Sequence, residues 1–359
     1  MITPLVDEQD PDGGFIPAWI DNLAKKVEKL YVVALRHNAE VPLPENVVVY
    51  SLGEKASRLG KILYFYRKML RVIPKVDVIF CHMFPSFTIL AAPYAKLFRK
   101  PIIAWYAHGY VSRELRMAHF LANKMVTASK ESLRIRSAKV IITGHGIDTD
   151  RFRPAKRRKK GSDKKVILSV GRISPIKNHE TLIRAANILV KEKGMKNLEF
   201  LIVGGVSMAS QEIYYAGLRK MVEELELKDY VKFAGSVPYG DIIRYYQQSD
   251  INVNLCPTGG LDKAVLEAMA CEKPVIVSNE TFWDLLNPYD SICLFKHQDP
   301  RDLAEKLDDI VMINHEDIRF KIGKHNREKV IKNHSLSQLV NKLVEIFNEV
   351  ASSRNLENK

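Results

Sequence analysis

Along the chain, short apolar runs of strand length alternate with stretches whose apolar residues recur every three or four positions. Tyr31 to Leu35, Val47 to Leu52, Val76 to Cys81, Pro101 to His108, Val126 to Ser129 and Val140 to Thr143 read as strands in the first part. Val166 to Val170, Leu198 to Val203, Ile251 to Cys256 and Pro274 to Val277 do so in the second. Helical periodicity marks Trp19 to Leu30, Lys55 to Arg71, Ile242 to Gln248 and Leu336 to Val350. Nearly continuous apolar strands separated by helices predict parallel, doubly wound sheets covered on both faces. The opening, Met1-Ile2-Thr3-Pro4, reads as a strand cut short: either the sheet edge tolerates the loss or, as is favoured, the true start of the protein lies upstream of Met1.

One stretch organises the rest: Gly259-Gly260-Leu261-Asp262-Lys263, followed by Ala264 to Ala270. Two glycines free the backbone for a turn, Asp262 is placed to cap a helix, and Ala264, Leu266, Ala268, Met269 and Ala270 favour that helix. With its flanking runs the unit is strand, loop, helix, strand. In a doubly wound sheet such a loop lies beyond the carboxyl ends of the strands, where ligands bind. A helix start carries unpaired N–H groups and about half a positive charge, which suits Gly260 to Lys263 to a phosphate or a polarised hydroxyl. Glu267, about one and a half turns further on, is able to accept hydrogen bonds from a neutral diol.

A second loop adds cations. Val166 to Val170 runs into Gly171-Arg172, and Lys177 comes five residues later. Arg172 and Lys177 on one loop are suited to neutralise an anionic group such as a diphosphate by charge-assisted bonds of roughly 1.5–3 kcal/mol each. The Gly204-Gly205 turn lacks the spacing of a dinucleotide fingerprint, which disfavours a nicotinamide-dependent dehydrogenase.

Composition then bounds the class. The 359 residues, 46% hydrophobic and 27% charged, suit two globular domains. The longest apolar region, Val76 to Phe98, is broken by Asp77, His82, Pro85, Pro93 and Lys96 and is no membrane span. The acidic, proline-containing first fifteen residues are no signal peptide. Cys81, Cys256, Cys271 and Cys293 are scattered within apolar patterns, as expected of reduced core thiols in a cytoplasmic protein. The net charge of +13 divides into +9 over residues 1–155, +6 over 156–165 and −2 over 166–359. The expected organisation is therefore a first domain at 1–155, a basic linker at 156–165, a second domain at 166–334 and a terminal helix at 335–359. An anionic partner is expected on the first domain. Nucleic acid is not expected, because no binding motif accompanies the linker.

Lys55 to Arg71 joins Arg58, Lys61, Arg67, Lys68 and Arg71 to seven large apolar residues and holds no acidic residue. Two readings stand. The helix lies in the headgroup region of an anionic bilayer, at about 1 kcal/mol per well-placed cation, or its apolar side packs on a sheet and its basic side is solvated.

The Gly259–Ala270 stretch and Gly171-Arg172-x4-Lys177 together resemble the donor site of the retaining family-4 (group 1) glycosyltransferases. The resemblance covers nearly the whole chain. It implies the GT-B fold, two doubly wound Rossmann-like domains facing each other across a cleft, with the terminal helix crossing back to the first domain. It further implies sugar transfer from a nucleotide-diphosphate sugar, with no cofactor and no metal. By position it gives catalytic roles to His108, Arg172, Lys177 and Glu267. Donor contacts fall on Gly13, Gly14, Val237, Gly259, Gly260, Leu261, Asp262 and Lys263. Apart from the resemblance, the basic charge of Arg58, Lys61, Arg67, Lys68 and Arg71 favours an acceptor or membrane role for them, with a lipid-linked or anionic glycan as acceptor. Asp148-Thr149-Asp150 lies in the segment resembling the family's connector, which speaks against its being a metal motif.

One departure stands out. The family has a first glutamate where this chain has Gly259. Losing that partner costs on the order of 1–3 kcal/mol unless something replaces it, and Asp262 is the candidate, either as sugar ligand or as helix cap. Two alternatives remain beside transfer: a nucleotide-sugar epimerase on the same fold, or a catalytically silent nucleotide-sugar or membrane-binding module.

Overall fold

A computed structural model describes residues 1–53, 57–155, 164–257, 259–312 and 316–357. The chain forms two compact units, Met1–Asp148 with His334–Lys359, and Thr149–Asn333. In chain order the first begins with β1 (Ile2–Val6), α1 (Ile16–Ala24), β2 (Leu30–His37), β3 (Val47–Ser51) and α2 (Arg58–Val72). It continues with β4 (Ile79–His82), α3 (Pro85–Leu97), β5 (Ile102–Trp105), α4 (Arg113–Leu121), β6 (Lys124–Thr127) and β7 (Val140–Ile142). The strands make one parallel sheet in the order β3-β2-β1-β4-β5-β6-β7. Because the chain leaves β1 towards β2 and later starts again at β4 on the other side, the order reverses between β1 and β4.

The second unit contains β8 (Lys165–Val170), α5 (His179–Asn187), β9 (Leu198–Val203), α6 (Glu212–Glu224), β10 (Val231–Gly235), α7 (Ile242–Gln248) and β11 (Ile251–Asn254). After these come α8 (Lys263–Ala270), β12 (Val275–Val277), α9 (Trp283–Leu286), α10 (Asp290–Cys293), α11 (Pro300–Met312) and α12 (Glu316–His334). Its five parallel strands are ordered β10-β9-β8-β11-β12, so the reversal falls between β8 and β11. The chain then returns to the first unit as α13 (Leu336–Glu357), which runs along α1.

Packing follows the strand period of two. In the first sheet Ile79, Cys81, Ile102 and Ala104 face Phe65 and Met69 of α2, Phe87 and Ala91 of α3 and Leu115 of α4. On the opposite face Phe80 meets Phe347 of α13, with ring centroids 5.5 Å apart. In the second sheet Ile167, Phe200, Ile202, Ile251 and Val253 form a core with Leu182, Ile183, Leu218, Leu303 and Leu307 from the covering helices.

Several boundaries differ from the sequence expectation. β1 runs on past Pro4 and pairs with β2 through Val6. Proline lacks the N–H that a ladder needs, and on the β4 side only Ile2 and Cys81 are in register. α1 stops at Ala24 rather than Leu30, because the Asn46 amide donates to the carbonyls of Ala24 and Val27, at 2.9 and 3.0 Å, and closes the helix end. Lys55 lies outside the described residues, as do Lys156 to Asp163 of the basic run, and Lys165 already opens β8. All four cysteines are buried and free, and burial pushes the Cys81, Cys271 and Cys293 thiols up to about 12. Among the described residues no helix is long and apolar enough to cross a membrane.

Two buried histidines tie stability to pH. Burial pushes the imidazoles of His179, at the start of α5, and His334 down to about 4. Both are neutral in the fold and take up a proton near pH 6.5 once unfolded. Their contribution is therefore complete above pH 6.5 and is lost as pH falls towards 4, by roughly 2–3 kcal/mol each at pH 4.5. Thermal melts from pH 7 to 4.5 should show this decline, and His334→Gln or His179→Gln should flatten its own share of the slope.

Candidate active site

The loops leaving the carboxyl ends of β8 and β11 meet at the reversal point of the second sheet, the position where open α/β sheets bind ligands. The β8 loop is laced by main chain to the loop after β9, and that loop to the end of β10. The Gly171 N–H donates to the Val203 carbonyl at 3.0 Å, the Ile173 N–H to Gly205 at 2.8 Å, and the Gly204 N–H to Gly235 at 2.9 Å. At Gly204, φ is +151° and a Cβ would sit 1.9 Å from the Gly171 carbonyl oxygen, so only glycine lets these loops approach so closely.

Beyond Arg172, which is exposed, a single 3-10 turn (Pro175–Lys177) ends in Asn178 in the left-handed conformation (φ 49°, ψ 46°). This reversal brings the Lys177 stem back over Gly171, whose Cβ position lies 3.4 Å from Lys177 Cε. Lys177 Nζ then donates to Asp262 Oδ2. The same oxygen accepts from Asn254 Nδ2 at 3.0 Å, while Asp262 Oδ1 caps α8 by accepting from the Ala264 N–H at 3.1 Å. Burial works against the ammonium of Lys177 and the carboxylate of Asp262 alike. Their mutual attraction outweighs it, holding the lysine above and the aspartate below its ordinary range. Asp262 is thus both cap and lysine anchor.

Gly259 has φ +110°, a region that side chains avoid, and a Cβ there would meet no described heavy atom within 4 Å. The Gly259 and Gly260 carbonyls are held by Thr281 Oγ1 at 3.4 Å and Asn279 Nδ2 at 3.2 Å. This backbone turn is built for glycine.

Glu267 is the most enclosed of the candidate residues on this loop and helix. It sits on α8 at 4% exposure, with Oε1 accepting from the Tyr239 hydroxyl at 2.8 Å and Oε2 from the Tyr246 hydroxyl at 3.1 Å. Lys263 Nζ is 3.7 Å from Oε1 and 4.8 Å from the centre of the Tyr239 ring. Phe152 packs edge-on against both tyrosines, at 5.6 and 6.0 Å. Burial raises the carboxyl's pKa, opposed by Lys263 and the two hydroxyls. The carboxylate is the centre of a buried polar cluster, and a further donor can be accepted through its remaining lone pairs. Tyr239 and Tyr246 escaped sequence reasoning because they lie 28 and 21 positions from Glu267, and Asn254, eight residues before Asp262, because it sits within an apolar strand. Their one signal is polarity in segments that otherwise read as core. Val237 is half-buried in the turn after β10, two residues before Tyr239, and Leu261 is buried.

The remaining candidates lie in the first unit. His108 is exposed on the loop after β5, and its Nδ1 accepts from the Tyr110 N–H at 3.3 Å. Gly13 and Gly14 are buried between β1 and α1, with their N–H groups donating to Asp10 Oδ1 at 2.7 Å and the Asp10 carbonyl at 2.9 Å, so they close a turn of their own. Lys61, Arg67, Lys68 and Arg71 lie on α2, as does the backbone of Arg58. In the second unit Asp250 is structural, accepting from the Val166 N–H at 2.9 Å.

The model of the family described as glycosyl transferases group 1 matches residues 150–329, half of the chain and nearly all of the second unit. The chain belongs to this family. A D-inositol 3-phosphate glycosyltransferase of Kineococcus radiotolerans is 30% identical over 150 residues, 39% of this chain and 34% of that protein. The human GDP-Man:Man(3)GlcNAc(2)-PP-Dol alpha-1,2-mannosyltransferase is 26% identical over 171 residues, 46% of this chain and 35% of that protein. The chain thus spans about a third of the length of the curated relatives it matches. Among solved structures, Anabaena HepE in complex with UDP and glucose superimposes with a TM-score of 0.76 at 17% identity, covering 97% of this chain and 99% of that one. The architecture is GT-B, built from two Rossmann-like units.

Proposed function

We propose that this chain transfers a sugar from a nucleoside-diphosphate sugar to an acceptor hydroxyl, with retention at the anomeric carbon and without a metal. The observation that carries the reading is the pairing, at the reversal point of the second sheet, of an exposed Arg172 and an Asp262-anchored Lys177 with the glycine turn that feeds α8. In the reaction the anomeric carbon–phosphate oxygen bond breaks and a bond to the acceptor oxygen forms. The acceptor proton passes to the leaving phosphate, so no side chain has to serve as base. Arg172 and Lys177 stabilise the charge that develops on the diphosphate, and the anchor at Asp262 orients the lysine in advance. Glu267 holds Tyr239 and Lys263 in place at the edge of this site.

The two curated relatives are named for an inositol phosphate and a dolichyl-diphosphate glycan, which supports an anionic or lipid-linked glycan as acceptor. Reduced, buried cysteines and the basic first unit favour a cytoplasmic protein held peripherally at a membrane.

The test is release of nucleoside diphosphate from UDP-, GDP- and ADP-sugars. One donor should be cleaved, and Arg172→Ala should slow its release about 10- to 100-fold. Sugar-nucleotide isomerisation without acceptor would instead identify an epimerase. Nucleotide-induced stabilisation with no release would identify a binding module, for which Gly259 in place of a carboxylate is the specific support.

A further inference from the structure

We propose that the outer surface of the α2–α3–α4 layer docks on anionic phospholipid bilayers, with α2 lying in the headgroup region. A helix covering a sheet needs one apolar side, and α2 has two. Phe65, Met69 and Val72 are buried against the sheet. On the opposite side Leu59, Leu63 and Leu70 are 67, 62 and 50% exposed, four and then seven residues apart, and so form one stripe. Arg67 and Arg71 are exposed along the same stripe. Lys68 stacks over the rings of Tyr50 and Tyr64, at 4.6 and 4.9 Å. This is more than the solvated basic face that ordinary packing predicts.

The pattern repeats on the neighbouring helix. α4 buries Leu115 and Ala118 and turns outward Met117, 54% exposed, and Phe120, 79% exposed, with Arg113 and Arg116 among them. Both helices flank α3 on the same face of the first sheet. Residues 57–121 contain eleven lysines and arginines against two acidic residues, Asp77 and Glu114, whereas residues 1–53 contain four against eight. The positive charge of the first unit is thus concentrated in the elements of this layer.

Protruding leucines and a phenylalanine interleaved with arginines match a bilayer, where apolar tips enter the acyl boundary and guanidinium groups remain with phosphate. A second copy of the chain would bring the same positive charge to the same face and be repelled. The inference concerns a surface apart from the donor site and does not depend on the transfer chemistry.

The experiment is co-sedimentation of the full chain with vesicles of phosphatidylcholine alone or mixed equally with phosphatidylglycerol. The wild type should partition at least about tenfold more strongly to the mixed vesicles, less so as salt is raised. Replacing the leucines together (Leu59→Ser, Leu63→Ser, Leu70→Ser) should cost at least about tenfold on the same vesicles. Arg67→Gln and Arg71→Gln should each weaken partition about fivefold. Melting temperatures should stay near wild type, since these side chains are exposed. Donor cleavage assayed without vesicles should be unchanged in the leucine variant, so the outcome here is independent of the donor assay. Equal wild-type partition to both vesicle types, or a leucine variant that binds like the wild type, would overturn the proposal. So would a wild-type dimer in sedimentation velocity that the leucine variant converts to monomer, since a second copy would then cover the face.

Discussion

Glu267→Ala is expected to reduce donor cleavage at least about 100-fold and to destabilise the second unit by about 3–5 kcal/mol. Two buried tyrosine hydroxyls lose their acceptor, at about 1–3 kcal/mol each, and Lys263 loses its counter-charge. Glu267→Gln separates the two effects. The amide keeps the shape and one acceptor oxygen, so most of the stability should return, to within about 2 kcal/mol of wild type. Cleavage should stay low, because a neutral side chain no longer balances Lys263 at the edge of the site. Denaturant melts and the nucleotide-release assay read the two quantities apart. Full activity in Glu267→Gln would mean that the carboxylate is there for packing alone.

The second large effect is expected from one methyl group. Gly204→Ala would place a carbon 1.9 Å from the Gly171 carbonyl oxygen, in a backbone conformation that L-residues rarely adopt. Overpacking of about 1–3 kcal/mol and backbone strain of about 1–2 kcal/mol predict a loss of about 2–5 kcal/mol. The obstacle is main chain and cannot rotate away, so the β8 loop must shift and carry Arg172 with it. Diphosphate affinity should fall together with the melting temperature. Gly217→Ala is the control, because an added Cβ there meets nothing within 4 Å and φ is not in the left-handed region. It should leave both quantities near wild type.

The strands were legible because parallel, doubly covered strands are apolar throughout, and β4, β5, β8, β9, β11 and β12 all fall on runs visible in the sequence. Their ends were less so. The end of α1 is decided by the side chain of Asn46, and the length of β1 by pairing with β2, neither of which leaves a local trace. In the candidate site, the helix cap at Asp262 and the loop cations could be read from residue type and spacing. The ties between Lys177 and Asp262, and between Glu267 and two tyrosines, join residues 85, 28 and 21 positions apart. Such contacts belong to tertiary structure, and local reasoning therefore found the carboxylates but not the side chains that hold them. The same limit applied to α2, where periodicity disclosed an apolar side but not that leucines also cover the other.

The first unit is discontinuous in sequence: Ile147 pairs with Ser335, and its N–H and carbonyl bond to residues 334 and 336 at 2.7 and 2.8 Å, with all of the second unit between them. During synthesis on the ribosome, the seven strands of the first sheet are made early, but the helix that covers Phe80 is made only after the second unit. The second unit can thus finish folding while the earlier-made sheet still shows an apolar face. The part of the chain translated first completes its core last, and that open face is where a nascent chain of this protein is most exposed to chaperones and to aggregation.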